Sequence, residues 1–394
     1  MARPGLSRNT KVLSFASLLV DMSSEMMTFL IPFFMITLGG SVMFIGAMEG
    51  IDALVIGIMA ITSGIISMRI GRVKWPIIAG YSLSAFFKGL LLFASTPLHV
   101  FLLRILERLG KGVRETPRDA LIAHSEPAEN LGRAFGFRKL SDNIGAISGP
   151  FIASLIIMFY FNNSHSADSY RFIFSLALIP AVMAVLLLVF MLRDVQFRPV
   201  KASIASMRAI LRSPKASGFV GICLLLALAN FSPYFFLIRA GETMDLGMVG
   251  WSYFIYNLFY AIFSYPAGFL SDRFGPKRAL MLGVVFFICA LFGFVFLDSM
   301  YGVIGMFALL GAFMSFLQTV PHAFISRTVP KQNAAEAVGA YRGAVGIIGF
   351  PANLLAAFLW ETTILSSHAS FLFSLALAVL ALILLLPMKV NHEN

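Results

Sequence analysis

Charge is scarce in this chain, and cysteine scarcer. Of 394 residues only 12% are Asp, Glu, Lys or Arg, against about 25% in soluble domains. The hydrophobic share is 59% and the mean hydropathy +0.86. Such a composition excludes an ordinary water-soluble protein. The two cysteines, Cys223 and Cys289, each lie inside an apolar run, which leaves no disulfide framework and no thiolate metal site. The six histidines are scattered without HExxH or paired-ligand spacing, so no metal site is expected. No nucleophile–base constellation stands out either, and we expect no enzyme and no cofactor. A nucleotide loop is also missing: Lys111 in the segment Gly110-Lys111-Gly112 is followed by Gly-Val, not by the Ser or Thr of a phosphate-binding loop. The formal net charge is +11, but the basic residues do not gather on one soluble face, so a nucleic-acid partner is not expected.

What is present is a succession of apolar runs, each long enough to cross a hydrocarbon core of about 30 Å. They fall near 12–37, 42–67, 75–95, 98–117, 134–160, 171–192, 216–239, 246–270, 279–297, 301–326, 335–360 and 367–387. This predicts twelve spans. The first run, from Val12 to about Ile36, is too long for a signal-peptide core and lacks a small-residue cleavage site, so it reads as a retained span. Of the 30 Lys and Arg, 22 fall in the two termini and every second loop. By the positive-inside rule both termini are then cytoplasmic. The sequence divides into a bundle over 1–192, a basic cytoplasmic linker over 193–215 and a second bundle over 216–394.

The two halves repeat. The stretch Gly64–Lys74, GIISMRIGRVK, lines up with Gly268–Arg278, GFLSDRFGPKR, 204 residues further on. At the same spacing PRDALIAHSEPAENLGRAFG from Pro117 echoes PHAFISRTVPKQNAAEAVGA from Pro321. Duplication of a six-span unit points to a transporter whose site lies between the repeats near the membrane midplane.

GFLSDRFGPKR resembles the G-x3-D-R-x-G-R/P-K/R loop of the major facilitator superfamily, and the first copy resembles a degraded version in which Met68 stands where that family has Asp. The resemblance extends over the whole chain. It implies an all-α polytopic membrane protein of twelve transmembrane helices in two pseudo-symmetric six-helix bundles, carrying a small-molecule substrate through the lipid bilayer by alternating access. It further implies gating roles for Gly268, Asp272, Arg273 and Gly275, with Asp272 meeting the N-terminal end of the fifth span. Span 5 carries Gly136, Gly145, Gly149-Pro150 and Ala153-Ser154. This pattern resembles the superfamily's antiporter signature with Ala-Ser in place of the closing Gly-Gly, which implies gating by Gly145, Gly149 and Pro150 and export in exchange for protons. Spacing alone equally fits a tight helix-packing face. The segment LLRILERLGKGVRETPRDALIA partly resembles the family's span-4 pattern of an Arg followed by Gly-x-Gly, with Gly110 and Gly112 farther from Arg104 than that pattern has them. Together with DMSSEM in span 1, the chain resembles a bacterial branch of the superfamily, which implies the inner membrane.

Ionisable groups at membrane depth are costly and normally face a bundle interior or wet cavity with a partner. Span 1 places Ser14, Ser17, Asp21, Glu25 and Thr28 on one helical face. Asp21 and Glu25, one turn apart and about 15 Å deep, are the candidates for proton coupling, because two close carboxylates at low dielectric cannot both stay ionised cheaply. A fixed ion pair holding spans 1, 3 and 4 together is the other reading of Asp21. Glu49, Asp52, Lys88, Arg104, Arg138 and Asp142 are candidates for the central cavity, while Glu107 and Arg108 read as an ion pair near the cytoplasmic mouth. The second half contributes mostly neutral groups, with Asn230, Tyr256, Asn257 and Gln318 the candidates for substrate contact. His322 fits packing as well as proton transfer. The expected function is secondary active transport, a proton antiport exporting a small organic solute. The alternatives are uptake or release of an anionic or metal-chelating solute and, from another class, a non-transporting membrane sensor or lipid-modifying protein.

Overall fold

The structure, a computed structural model, describes residues 5–70, 73–195, 214–329, 334–364 and 367–388. Among these residues there is no strand. Helices α1 (Arg8–Thr28) and α2 (Ile31–Thr37) form the first span, followed by α3 (Val42–Ile70), α4 (Lys74–Leu90), α5 (Pro97–Ser125), α6 (Leu131–Phe159) and α7 (Ala167–Met191). Helices α8 (Pro214–Ala229) and α9 (Pro233–Gly241) form the next, followed by α10 (Leu246–Phe274), α11 (Pro276–Phe296), α12 (Met300–Thr328), α13 (Ala334–Thr362) and α14 (Ser367–Leu385). Eleven of these spans are long and apolar enough to cross a membrane. The twelfth is α5, which has the length at 29 residues but is too charged to qualify by hydropathy.

The helices carry the duplication. In each series the first span is broken and restarts on a proline, Pro32 in α2 and Pro233 in α9. The second, fourth and fifth spans of each series, α3, α5 and α6 against α10, α12 and α13, are all 29 residues long. Pro117 lies inside α5 and Pro321 inside α12, Pro150 inside α6 and Pro351 inside α13. Between α10 and α11, Gly275 adopts φ 91°, a backbone region that favours glycine, and Pro276 then opens α11. In the first copy of this loop, the side chain of Met68 and residues 71–72 lie outside the described residues, as does the linker from 196 to 213.

The chain divides into two compact units. One gathers the described residues of Met1–Gly40 and Ile58–Ala202, the other those of Ser41–Gly57 and Ser203–Asn394. In the first, α1 packs along α6 and α7, and α4 along α5, over a core that includes Leu13, Ala16, Val20, Ile77, Tyr81, Leu121 and Leu188. In the second, α10 packs on α12, and α11 on α12 and α14. Its core is aromatic: the Phe231 and Phe236 rings stack at 5.1 Å and those of Phe294 and Phe371 at 5.6 Å. The start of α3 belongs to this unit, where Gly46 meets α13 at Ala357 and Asn353 too closely for a side chain and Gly57 lies tight against Gly343. Many large apolar side chains on the outside, among them Phe86, Phe159, Phe190 and Tyr265, are more than 60% exposed, a surface suited to lipid rather than water.

Candidate functional site

Within the first unit, four helices bring the ionisable residues into one polar network. It begins where α6 meets α1 without intervening side chains: Gly145 lies against the backbone of Leu18 and Met22, and Gly149 against Met22, Glu25 and Met26. The close approach sets Asp142 near enough to Asp21 for the two carboxylates to repel each other. The Asp142 Oδ2 accepts from Arg138 at 2.8 Å, while its buried Oδ1 has no hydrogen-bond partner among the described residues. Arg138 also reaches Asp119 at 3.6 Å. Asp119 in turn accepts from Arg118, which donates to Ser17 on α1 at 3.1 Å.

A second part of the network lies along α4 and α5. Lys88, 1% exposed, donates to Ser23 at 3.1 Å and to Ser24 at 2.7 Å, and stands 3.8 Å from Glu107. Glu107 accepts from Arg104, one turn back on α5. Arg114 donates to Ser84 at 2.7 Å and covers the ring of Tyr81 at 4.5 Å. The Tyr81 hydroxyl meets Ser17 at 3.2 Å and so joins the two parts. Lys88, Arg104, Glu107, Arg114 and Arg118 are all buried. In hydrocarbon such groups persist only when mutually satisfied.

Of the residues singled out in the sequence, Asp21, Lys88, Arg104, Arg138 and Asp142 therefore meet in one network, with Gly145 and Gly149 at its α1–α6 seam. Glu25, half-buried, lies one turn further along α1 beside Gly149, and Pro150 follows within α6. The others lie in the second unit. Glu49 accepts from Ser232 at 2.5 Å, and Asp52 is buried nearby on α3. Asn230 donates to the Met314 sulfur at 3.4 Å, Asn257 to the Tyr253 carbonyl at 3.0 Å, and Tyr256 stacks on Tyr253. Gln318 is exposed on α12. Asp272 accepts from Arg327 at 2.7 Å, both groups being well exposed. Arg273 lies over the rings of Phe269 and Phe274, and Gly268 makes only an ordinary contact with Thr319. His322 accepts a long bond from Arg342 and packs edge-on to Tyr341.

Sequence reasoning left Tyr81, Arg114, Arg118 and Asp119 out of the site. The signal was present: Arg104, Glu107, Arg114 and Arg118 follow one another at three, seven and four residues, the spacing of a single helical face. It is masked because the sequence reading counts Arg114 and Arg118 among the cytoplasmic basic residues of the segment 111–133. The helix continues to Ser125 and buries both.

At the end of this bundle, Glu126 accepts from the Ser7 amide at 2.7 Å and the Thr10 hydroxyl at 2.6 Å. Burial pushes its carboxyl up, but these hydrogen bonds outweigh that and hold it below the usual carboxylate range. Asn9 ties the same end to Ser125 at 3.2 Å and exchanges two bonds with the Arg193 backbone at 3.1 Å.

The sequence pattern that defines the Major Facilitator Superfamily matches residues 13–247 and 217–393. The chain is 33% identical over 391 residues to an uncharacterized MFS-type transporter of Methanocaldococcus jannaschii, covering 97% of this chain and 95% of that one. The fold is similar to the crystal structures of the nucleoside transporter NupG (its D323A mutant; TM-score 0.77, 17% identity, 97% of this chain and 99% of that chain) and of the D-xylose-proton symporter (0.73, 14%, 97% and 98%). With family, helix content and architecture in agreement, the chain belongs to the Major Facilitator Superfamily: it is a multi-pass membrane protein and a secondary transporter of a small molecule, not an enzyme.

Proposed function

We propose that this transporter exports a small organic solute in exchange for protons by alternating access. The observation that carries the coupling is the Asp142 carboxylate, whose buried Oδ1 has no hydrogen-bond partner among the described residues and which feels the like charge of Asp21. A proton on Asp142 gives its buried oxygen a donor and removes the repulsion together. Arg118 and Arg138 act in the opposite sense, stabilising the ionised form of Asp142. A shift of α6 against α1 changes which influence dominates, and so loads or releases the proton. Glu25, one turn along α1, is a second acceptor on the same face. The seam itself, glycine against bare backbone at Gly145 and Gly149, supports a sliding contact in the role of an antiporter gate. On this reading the bundles meet at the 193–215 linker, both termini are cytoplasmic, and the membrane is the bacterial inner membrane. The Gly268–Arg278 loop with Asp272 then serves as a cytoplasmic latch, while Asn230, Tyr256, Asn257 and Gln318 contribute neutral contacts to the solute.

The test uses everted vesicles in which respiration acidifies the lumen. Fractions of a cell extract added outside should dissipate the pH gradient when the wild-type protein is present. Asp142→Asn and Asp21→Asn should abolish that response while leaving the amount of folded protein unchanged. Normal gradient-driven flux in both variants would overturn the proposal.

A further inference from the structure

Arg138 serves two carboxylates and hydrogen-bonds only one. It lies one helical turn before Asp142 on α6, and its Nη1 donates to Asp142 Oδ2 at 2.8 Å. On its other side the buried Nε stands 3.6 Å from Asp119 Oδ1 on α5, close enough for an ion pair but too far for a hydrogen bond. That Nε has no hydrogen-bond partner among the described residues. Asp119 is also the carboxylate nearer water, its side chain being 39% exposed against 16% for Arg138 and 15% for Asp142. It accepts from Arg118 at 3.1 Å, and Arg118 is fixed to Ser17 by its other bond. The further charges acting on Asp142 are Asp21 on α1, Arg118 on α5 and Lys139 on α6, with Glu25 one turn beyond Asp21.

A guanidinium prefers an ionised carboxylate to a protonated one, because Coulomb attraction adds to the hydrogen bond. While Asp142 is ionised, Arg138 therefore stays with it. Once Asp142 takes a proton, the ionised carboxylate still paired with Arg138 is Asp119, and a move of less than about 1 Å brings Nε to hydrogen-bond distance. We infer that Arg138 is a two-position switch between Asp142 and Asp119, and that Asp119 is a positioning residue which sets how readily Asp142 gives up its proton. The inference rests on the proton-coupling reading above and adds to it the groups that regulate the site. By drawing the guanidinium away, Asp119 favours the protonated form of Asp142. Its removal leaves Arg138 on Asp142 and favours the ionised form.

The test is an infrared pH titration of the purified full-length protein in detergent, which reads the carbonyl stretch of a protonated carboxyl directly and needs no solute. The band missing from Asp142→Asn belongs to Asp142. Its midpoint should fall by about one pH unit in Asp119→Asn and rise in Arg138→Gln. Asp119→Ser, a second neutral variant, should act like Asp119→Asn, and Asp119→Glu should stay near wild type. Glu129→Gln, an exposed site outside the network, should leave the midpoint unchanged. Because Asp119 acts through Arg138, the effect of Asp119→Asn should largely disappear once Arg138→Gln is present. A shift of equal size in both backgrounds would mean a charge acting through space and would overturn the switch, as would an unchanged midpoint in both neutral variants. The result is separable from transport. A band that titrates as expected without gradient-driven flux refutes proton exchange alone, whereas flux that Asp142→Asn abolishes, with a midpoint indifferent to Asp119, refutes this inference alone. An Asp142 carboxyl that never titrates while the protein stays folded refutes both.

Discussion

A Cβ placed on Gly145 would lie 2.3 Å from the carbonyl oxygen of Leu18, and one on Gly149 would lie 2.6 Å from that of Met22. Backbone cannot swing aside as a side chain can, so even Gly145→Ala must push α1 and α6 apart. We expect it to destabilise the first unit by at least about 1–3 kcal/mol, the range for overpacking, which fluorescence-detected size exclusion after a heat step would register as lost monodisperse protein. Gly136, on the same helix with nothing within 4 Å of its would-be Cβ, should tolerate alanine in the same assay. Glu126 gives a residue-scale dependence on pH. Its carboxyl titrates lower in the folded protein than in the unfolded chain. Its stabilisation is therefore fully present above the ordinary glutamate value of about 4.3 and is lost as pH falls below it through the depressed folded value. Glu126→Gln should melt below wild type at pH 7, by the equivalent of about 1–2 kcal/mol, and the gap should narrow as pH falls below the ordinary glutamate value. A gap that stays constant across that range would show that the Ser7 and Thr10 bonds do not depend on the charge.

At the scale of elements, α5 departs from the other spans. Its polar face carries Arg104, Glu107, Arg114 and Arg118 into the bundle, so a hydropathy criterion misses it although it has the length of a span. Hydrophobicity measures transfer to lipid, whereas α5 transfers its charges to the partners supplied by α1, α4 and α6. Its counterpart in the second unit, α12, buries Ser315 with its hydroxyl bonded to the Tyr260 carbonyl at 2.6 Å, and approaches α10 through Gly311. Apart from Glu49 and the buried Asp52 on α3, the polar interior described in the second unit is thus neutral, whereas that of the first carries buried cations as well as carboxylates. A further charged cluster of the second unit is peripheral: Arg239, at the end of α9, donates to the Phe294 carbonyl at 3.2 Å, to Glu242 at 2.9 Å and to Asp298 at 2.6 Å. Arg239 is buried but both carboxylates reach solvent, so Arg239→Ala leaves no buried anion behind. We expect a loss of about 1–2 kcal/mol in a detergent melt.

For the whole molecule, the repeat couples sequence to architecture: two six-span series, each with a broken first span and prolines at matching places in the fourth and fifth. The loop charges set an orientation that can be measured. In a background carrying Cys289→Ser, Ser164→Cys between α6 and α7 should react with a membrane-impermeant maleimide in intact cells. Glu129→Cys between α5 and α6 should react only after permeabilisation. The reverse pattern would invert the orientation drawn from positive charge, and with it the direction assigned to the antiport.

The span pattern, the duplication and the identity of the residues at membrane depth follow from the sequence alone, because they depend on local quantities. Apolar run length must match bilayer thickness, prolines and Gly275 dictate where helices break or turn, and a charge in an apolar run is conspicuous wherever it points. Which charges meet is a different matter. Asp21 and Glu25 are neighbours on one helix face and invite pairing by spacing. Yet the glycines of α6 bring its backbone onto α1, and the carboxylate set against Asp21 is Asp142, more than a hundred residues away. Arg114 and Arg118 fall in the basic segment 111–133 and read as cytoplasmic charges until α5 is seen to run on to Ser125 and bury both, and only the packing of α4 against α5 joins Lys88 to Glu107. Long-range pairing depends on helix approach distances set by small residues on both partners, so the tertiary structure alone decided which ionisable groups form one network.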